Sequence, residues 1–266
     1  MTVMLRTPLT SPLAGERFHR LATALAGVEA QTAMLRVHGE DGVGGVFVDE
    51  GRIAWAVAPG TSRFVADRLV SAGVDRQIIR ELVDEGRRTG VPLGQIVVSR
   101  GLMSAGAFAE LLFEHTVFSL GLMTSQRLGA TERLGRIGGS FANAFTFPMV
   151  SLLAESVRRR TGAIAVVDAL PETPLMAVEV SVVDGYPLPV RVLSDREPRL
   201  SELLQLATEA QGVVAMLGAG TASFRRRGRC WSVAGDASSF VVSEGRSPLS
   251  FAWMLGAHGR QSRSPS

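Results

Sequence analysis

The sequence predicts an α+β protein of two small domains, each with a mainly antiparallel sheet and packed helices. Three observations carry that expectation. The stretch 42–60, GVGGVFVDEGRIAWAVAPG, places two runs of strand-forming residues on either side of a short polar turn. Several segments between residues 64 and 122 repeat apolar residues at helix spacing. After a long apolar-faced helix near residue 200, short strand-like runs follow one another towards the C-terminus.

Taken in order, residues 1–15 carry Pro8, Pro12 and Gly15 and read as a lead-in. Phe18, Leu21, Leu25 and Val28 form a helical stripe over 17–30, and 31–37 reads as a strand. The hairpin is expected over 43–48 and 52–57, turning at Asp49, Glu50 and Gly51. Helices are expected from Phe64 to about Gly73 and over 74–86, with Gly90 and Pro92 breaking the chain. Residues 93–99 fit a short helix or a strand, since Val97 and Val98 favour strands. Ser104 is placed to cap a helix running to Val117. The Gly- and Arg-rich stretch 124–139 gives the best domain boundary, so the expected division is 1–123, a 124–147 linker or crossover, and 148–266. Phe141, Phe145 and Phe147 form an aromatic cluster, read as a buried anchor with a partner-facing patch as the alternative. Beyond it the pattern predicts a helix over 148–160 and strands over 163–168, 176–183 and 190–193. A helix over 200–216 follows, then strands over 221–224, 230–233 and 239–242, and a last apolar segment over 249–255.

Composition excludes several chemistries. All 28 basic residues are arginine, so no phosphate-loop lysine, Schiff-base lysine or Ser–Lys pair can exist. That bias, with abundant Ala, Gly, Val and Leu, reads as GC-rich bacterial coding. The single cysteine, Cys230, rules out an internal disulfide and a Cys-rich metal site. The net charge of +3 does not by itself imply nucleic acid. Residues 2–25 are interrupted by Pro8, Pro12, Glu16, Arg17 and Arg20, so a secretory h-region is not expected and the cytoplasm is the expected compartment.

Leu35–Val37 followed by Gly45, Val46, Phe47, Gly51, Ile53 and Ala56 resembles the strand-plus-hairpin pattern of the PatA-type N-terminal domain of unknown function. Leu93, Gly94, Val97, Val98, Gly101 and Leu102 resemble a repeat of the N-terminal domains of type II secretion and type IV pilus ATPases. These resemblances imply binding or regulatory modules, some of which bind cyclic di-GMP. Gln95 and Arg100 are the positions such a ligand would use here. From about residue 148 to 259 the order helix, strand, strand, helix, then a run of strands is similar to Roadblock/LC7 (profilin-like) domains. That topological likeness implies self-association and regulation of small GTPases or motor complexes without catalysis. No single residue is carried over from it.

The remaining candidates are weighed on chemistry. Gly42, Gly44 and Gly45 precede a strand, and the glycines of 217–224 follow a helix; neither is the context of a phosphate loop. His19, His38, His115 and His258 lack metal-ligand spacing. A Cys230–His258 nucleophile pair is conceivable, but Cys230 beside Trp231 in an apolar strand pattern reads as core. The paired carboxylates Glu40–Asp41, Asp49–Glu50 and Asp84–Glu85 sit in turns or on solvent faces. Arg225, Arg226, Arg227 and Arg229 form the sharpest electrostatic feature, readable as a surface turn or as a patch for an acidic partner.

The reading that follows is a non-enzymatic bacterial regulatory or scaffold protein acting through protein–protein contacts in signalling, motility or secretion. Its expected partner is a protein, such as a small GTPase or a motility or secretion component, and it is expected to form a homo-oligomer. No cofactor is expected, and nucleic acid is disfavoured. The residues expected to contribute are Phe47 and Trp55, if exposed, and Arg225, Arg226, Arg227 and Arg229. The alternatives are a cyclic-dinucleotide or other small-ligand sensor using Gln95 and Arg100, and a nucleic-acid-binding protein using the arginine cluster.

Overall fold

The structure, a computed structural model, describes residues 14–61, 63–125, 131–134, 145–162, 175–226 and 228–245. The fold is mixed α+β, with two regions that each hold an antiparallel sheet and packed helices. One compact unit, the split unit, comprises Met1–Glu29 together with Pro148–Ser266. The other, the inserted unit, is Ala30–Phe147.

The chain begins in the split unit with α1 (Ala14–Ala26), whose Phe18, Leu21, Ala22 and Leu25 are buried along one stripe. The inserted unit opens with β1 (Ala33–Gly39), β2 (Gly42–Asp49) and β3 (Arg52–Val57), paired in that order. Asp49 pairs with Arg52 around Glu50 (φ 45°) and Gly51 (φ 84°). Two consecutive residues at positive φ make the tight turn that matches strand twist. Four helices follow: α2 (Phe64–Ser71), α3 (Arg76–Thr89), α4 (Leu93–Ser99) and α5 (Ala105–Ser125).

The Asp75 carboxylate accepts from the Gln77 N–H to start α3, and Gly90 at φ 73° ends it. Ser104 Oγ accepts from the Ala107 N–H ahead of α5, as its position predicts, but α5 runs eight residues past Val117 to Ser125. Residues 93–99 resolve as helix: Ile96 and Val97 face a helical core with Leu69, Ile79, Leu82, Phe108 and Leu112. Burial in that core outweighs the strand preference of Val97 and Val98. Phe145 and Phe147 pack on the same core, Phe145 against Phe108 and Phe147 against Phe113; Phe141 lies outside the described residues.

Two short strands close the inserted sheet, β4 (Thr131–Leu134) against β1 and β5 (Phe147–Pro148) at the far edge, giving the order β4-β1-β2-β3-β5. The predicted linker thus contributes a strand. Thr131–Leu134 is identifiable only by its partner, because the pairing spans about a hundred residues of sequence.

The split unit resumes with α6 (Met149–Thr161), ended by Gly162 at φ 69°. It continues through β6 (Met176–Val183), β7 (Tyr186–Val192), α7 (Leu200–Leu217), β8 (Ala219–Arg226), β9 (Arg229–Asp236) and β10 (Ser239–Gly245). The sheet order is β7-β6-β10-β9-β8, every described pair antiparallel. The β6–β7 turn repeats the hairpin chemistry at Asp184 (φ 51°) and Gly185 (φ 84°). The strand expected over 190–193 is therefore the end of β7, which begins at Tyr186. The segments 163–168 and 249–255 lie outside the described residues.

Sequence order groups the first helix with the hairpin. Its packing does not. The Phe18 side chain is fully buried with Val157, Leu188 and Val190, and the Gly15 N–H donates to Asp184 Oδ2 at 2.9 Å. A Cβ at Gly15 would lie 1.9 Å from the Val183 carbonyl oxygen, so only glycine permits this approach.

Candidate interaction surfaces

In the split unit, α7 ends in two apolar residues that face solvent, Met216 (82% exposed) and Leu217 (53%). The rest of the helix buries Leu200, Leu203, Leu206, Ala207, Ala210 and Val214. Gly218 at φ 76° then turns the chain directly into β8. Among the described residues β8 has one strand neighbour, β9, so its other edge presents backbone groups along an eight-residue strand. Thr221, Ser223 and Arg225 are exposed along it, and the strand carries no proline.

Two members of the arginine run diverge. Arg225 pairs with Cys230 and Arg226 with Arg229, which places Arg225 and Arg229 on opposite faces of the β8–β9 ribbon. Arg229 Nη1 donates to Glu244 Oε2 at 3.4 Å and lies 3.6 Å from Glu202 Oε1. Its charge is met within the fold. Arg225 is exposed, the Arg226 side chain is not described, and Arg227 lies outside the described residues.

In the inserted unit, Phe47 and Trp55 are direct cross-strand partners, and Met34 is the partner of Phe47 on the other side. All three are half-buried. Gly45 lets the Met34 side chain lie directly over β2 beside them, since a Cβ there would stand 2.8 Å from Met34 Cε and 3.8 Å from Val57 Cγ1. The hairpin's candidate contact residues, Phe47 and Trp55, thus lie side by side and are partly accessible. Trp55 also meets His115 of α5 edge-on, with ring centroids 5.8 Å apart. Phe64 lies 5.1 Å from the same imidazole and stacks on the exposed Phe118 at 5.5 Å, with the Arg68 guanidinium 5.3 Å from the Phe64 ring.

His115 itself is 1% exposed, and neither ring nitrogen forms a well-aligned hydrogen bond to a described residue. Burial pushes its pKa down from 6.5 to about 4, the Ala56 backbone offsetting only part of that effect. The imidazole is neutral at pH 7.

Of the other sequence candidates, some have local partners and some lie exposed. Arg100 at the end of α4 is ion-paired with Glu85 of α3, and Gln95 lies exposed in the first turn of α4. Asp49 accepts from Thr32 Oγ1 at 2.7 Å, and Asp84 pairs with Arg87. Cys230 is buried in β9, as its apolar strand pattern predicts, and His258 lies outside the described residues. The described residues contain no group of three or more His, Cys, Asp or Glu able to hold a metal ion, and no helix long and apolar enough to cross a membrane. Comparison with protein-family models, curated proteins and solved structures found no match to the chain.

Sequence reasoning missed Met216 and Leu217, although a signal existed. The helix pattern places Met216 next to Ala215 on the polar side of the stripe. It also missed the β6–β7 hairpin, whose Asp184-Gly185 dipeptide is a strong two-residue turn signal.

Proposed function

We propose that this chain is a non-catalytic, cytoplasmic interaction protein that self-associates through the β8 edge and the neighbouring end of α7. The observation carrying this reading is the coincidence of an eight-residue strand edge that has no strand neighbour among the described residues with two adjacent exposed apolar side chains, Met216 and Leu217. A second copy satisfies both at once: strand pairing across β8 uses the backbone groups, and Met216 and Leu217 supply apolar area to bury. The order α6, β6, β7, α7, β8, β9, β10 supports the likeness to Roadblock/LC7 domains, and with it a role as a regulatory scaffold for a protein partner. That partner would be of the class of a small GTPase or a motility or secretion component. The half-buried row Met34, Phe47 and Trp55 is the surface of the inserted unit best suited to receive it.

The test is sedimentation velocity on the full chain and on the double variant Met216→Glu, Leu217→Glu. The reading expects a dimer at micromolar concentration and a dissociation constant raised at least about tenfold by the two charges. A wild-type chain that stays monomeric at the highest soluble concentration removes the proposal.

A further inference from the structure

Along an antiparallel strand the backbone N–H and C=O of successive residues point to alternate edges. In the split unit the Val182 N–H donates to the Ser238 carbonyl at 2.8 Å, which sets that alternation for β6 against β10. Carried through the unbroken registers of β10 with β9 and β9 with β8, it turns the backbone of Gly220, Ala222, Phe224 and Arg226 towards β9. The β8–β9 turn agrees, because Arg226 and Arg229 flank it and pair with one another. The N–H and C=O groups of Ala219, Thr221, Ser223 and Arg225 therefore face the edge that has no strand neighbour among the described residues.

We propose that two copies pair antiparallel along β8 in one register, with the two-fold axis passing through Ala222. This register rests on the self-association reading and specifies how the copies meet. Three features of the strand select it. With the axis at Ala222 every outward-facing residue bonds, Thr221 against Ser223 and Ala219 against Arg225 of the second copy. Moving the axis to Thr221 or Ser223 leaves one of these residues in each copy without a partner, and moving it to Gly220 or Phe224 leaves two. Charge selects the same register. It sets the two Arg225 residues roughly 20 Å apart along the seam, whereas an axis at Arg225 would put them directly opposite, where like charges destabilise. Shape agrees as well. Gly220 falls opposite Phe224 of the second copy in a pair without hydrogen bonds, the kind whose side chains approach most closely. A Cβ at Gly220 would meet nothing within 4 Å, so the Phe224 ring has open space to enter. The two five-stranded sheets then run as one through the seam. The exposed Thr221, Ser223 and Arg225 side chains of both copies share one face of it, a surface that neither copy presents alone.

The test is a cysteine scan on the full chain. Thr221→Cys, Ala222→Cys and Ser223→Cys are each made in a Cys230→Ser background and compared under mild oxidation, with sedimentation velocity on every protein beforehand. Across the axis the two Ala222 Cα atoms stand about 4.5 Å apart, within disulfide reach, while the two Thr221 or two Ser223 Cα atoms stand about 8 Å apart, beyond it. The Ala222→Cys protein should therefore yield at least about tenfold more disulfide-linked dimer than either neighbour. Repeating the scan with the buried Cys230 left in place guards against a folding defect from its replacement. Dimeric proteins that link through Thr221→Cys or Ser223→Cys instead overturn the register and leave self-association standing. Dimeric proteins in which none of the three positions links overturn β8 as the seam. If the unaltered chain is itself monomeric, the register and the self-association reading fall together.

Discussion

The two units differ in how far along the chain their buried polar contacts reach. In the split unit, Glu29 is buried to cap a helix, Glu244 to meet Arg229, and Ser232 to share a 3.0 Å hydrogen bond with Ser223. In the inserted unit, buried Thr61 bonds to the Ala58 backbone and Thr124 to the Leu120 and Gly121 carbonyls, while His115, Thr116 and the indole nitrogen of Trp55 lack a well-formed hydrogen bond to a described residue, as does Ser243 Oγ in the split unit. A buried polar atom with a partner fixes geometry, whereas one without a partner costs stability. The comparison teaches that the split unit uses long-range polar contacts to hold distant segments of chain together. The inserted unit, continuous in sequence, reaches less far, as from Arg52 to Thr146 and from Ser119 to Thr61, and buries a neutral imidazole against Trp55.

The largest effect that would break this comparison concerns α1. Phe18→Ala removes a fully buried ring shared with Val157, Leu188 and Val190 and should cost about 3–5 kcal/mol. In calorimetry the loss should fall on the split unit alone; a shift in the inserted unit's transition would reassign the helix.

Next in size is the pH response of the inserted unit. His115 has a folded pKa of about 4 against an ordinary value of 6.5, so the unfolded chain takes up its proton first as pH falls. The full stabilising contribution is present above pH 6.5, declines between 6.5 and 4, and is lost below that. The difference is on the order of 3 kcal/mol at its limit. Denaturant melts at pH 7 and pH 4.5 should show the inserted unit losing more stability than the split unit, and His115→Phe should abolish most of that difference.

Gly94→Ala should cost about 1–3 kcal/mol, since a Cβ there lies 2.2 Å from the Phe108 ring and the helical core must give way. Equilibrium unfolding followed on the inserted unit measures it. The smallest expected effect is Arg225→Glu, on an exposed side chain of an edge strand, which should change stability by no more than about 0.5 kcal/mol. A much larger loss on thermal melting would show that Arg225 is structurally engaged.

What the sequence discloses follows the range of the forces involved. The β2–β3 hairpin is readable because the turn at Glu50 and Gly51 and the pairing of Phe47 with Trp55 are local facts. The helices 76–89 and 105–125 are readable for the same reason, through Asp75, Gly90 and Ser104. β4 is not, because Thr131–Leu134 acquires its state from β1. Nor is the allegiance of α1, since its amphipathic stripe states that it packs but not against what. The candidate surfaces divide likewise. The aromatic row follows from hairpin register, and the splitting of Arg225 from Arg229 follows from strand alternation once both strands are drawn to full length. Glu29 is a lone carboxylate in a loop, and nothing near it in sequence points to α7.

The nested arrangement is tested most directly by native-state hydrogen exchange on the unmodified chain at increasing denaturant. The account predicts that the slow amides of α1 open with those of α7 and β6–β10, at one common free energy distinct from that of β1–β3. If the α1 amides open together with β1–β3 instead, the first helix belongs to the inserted unit, and the division of the molecule into a split and an inserted unit is wrong.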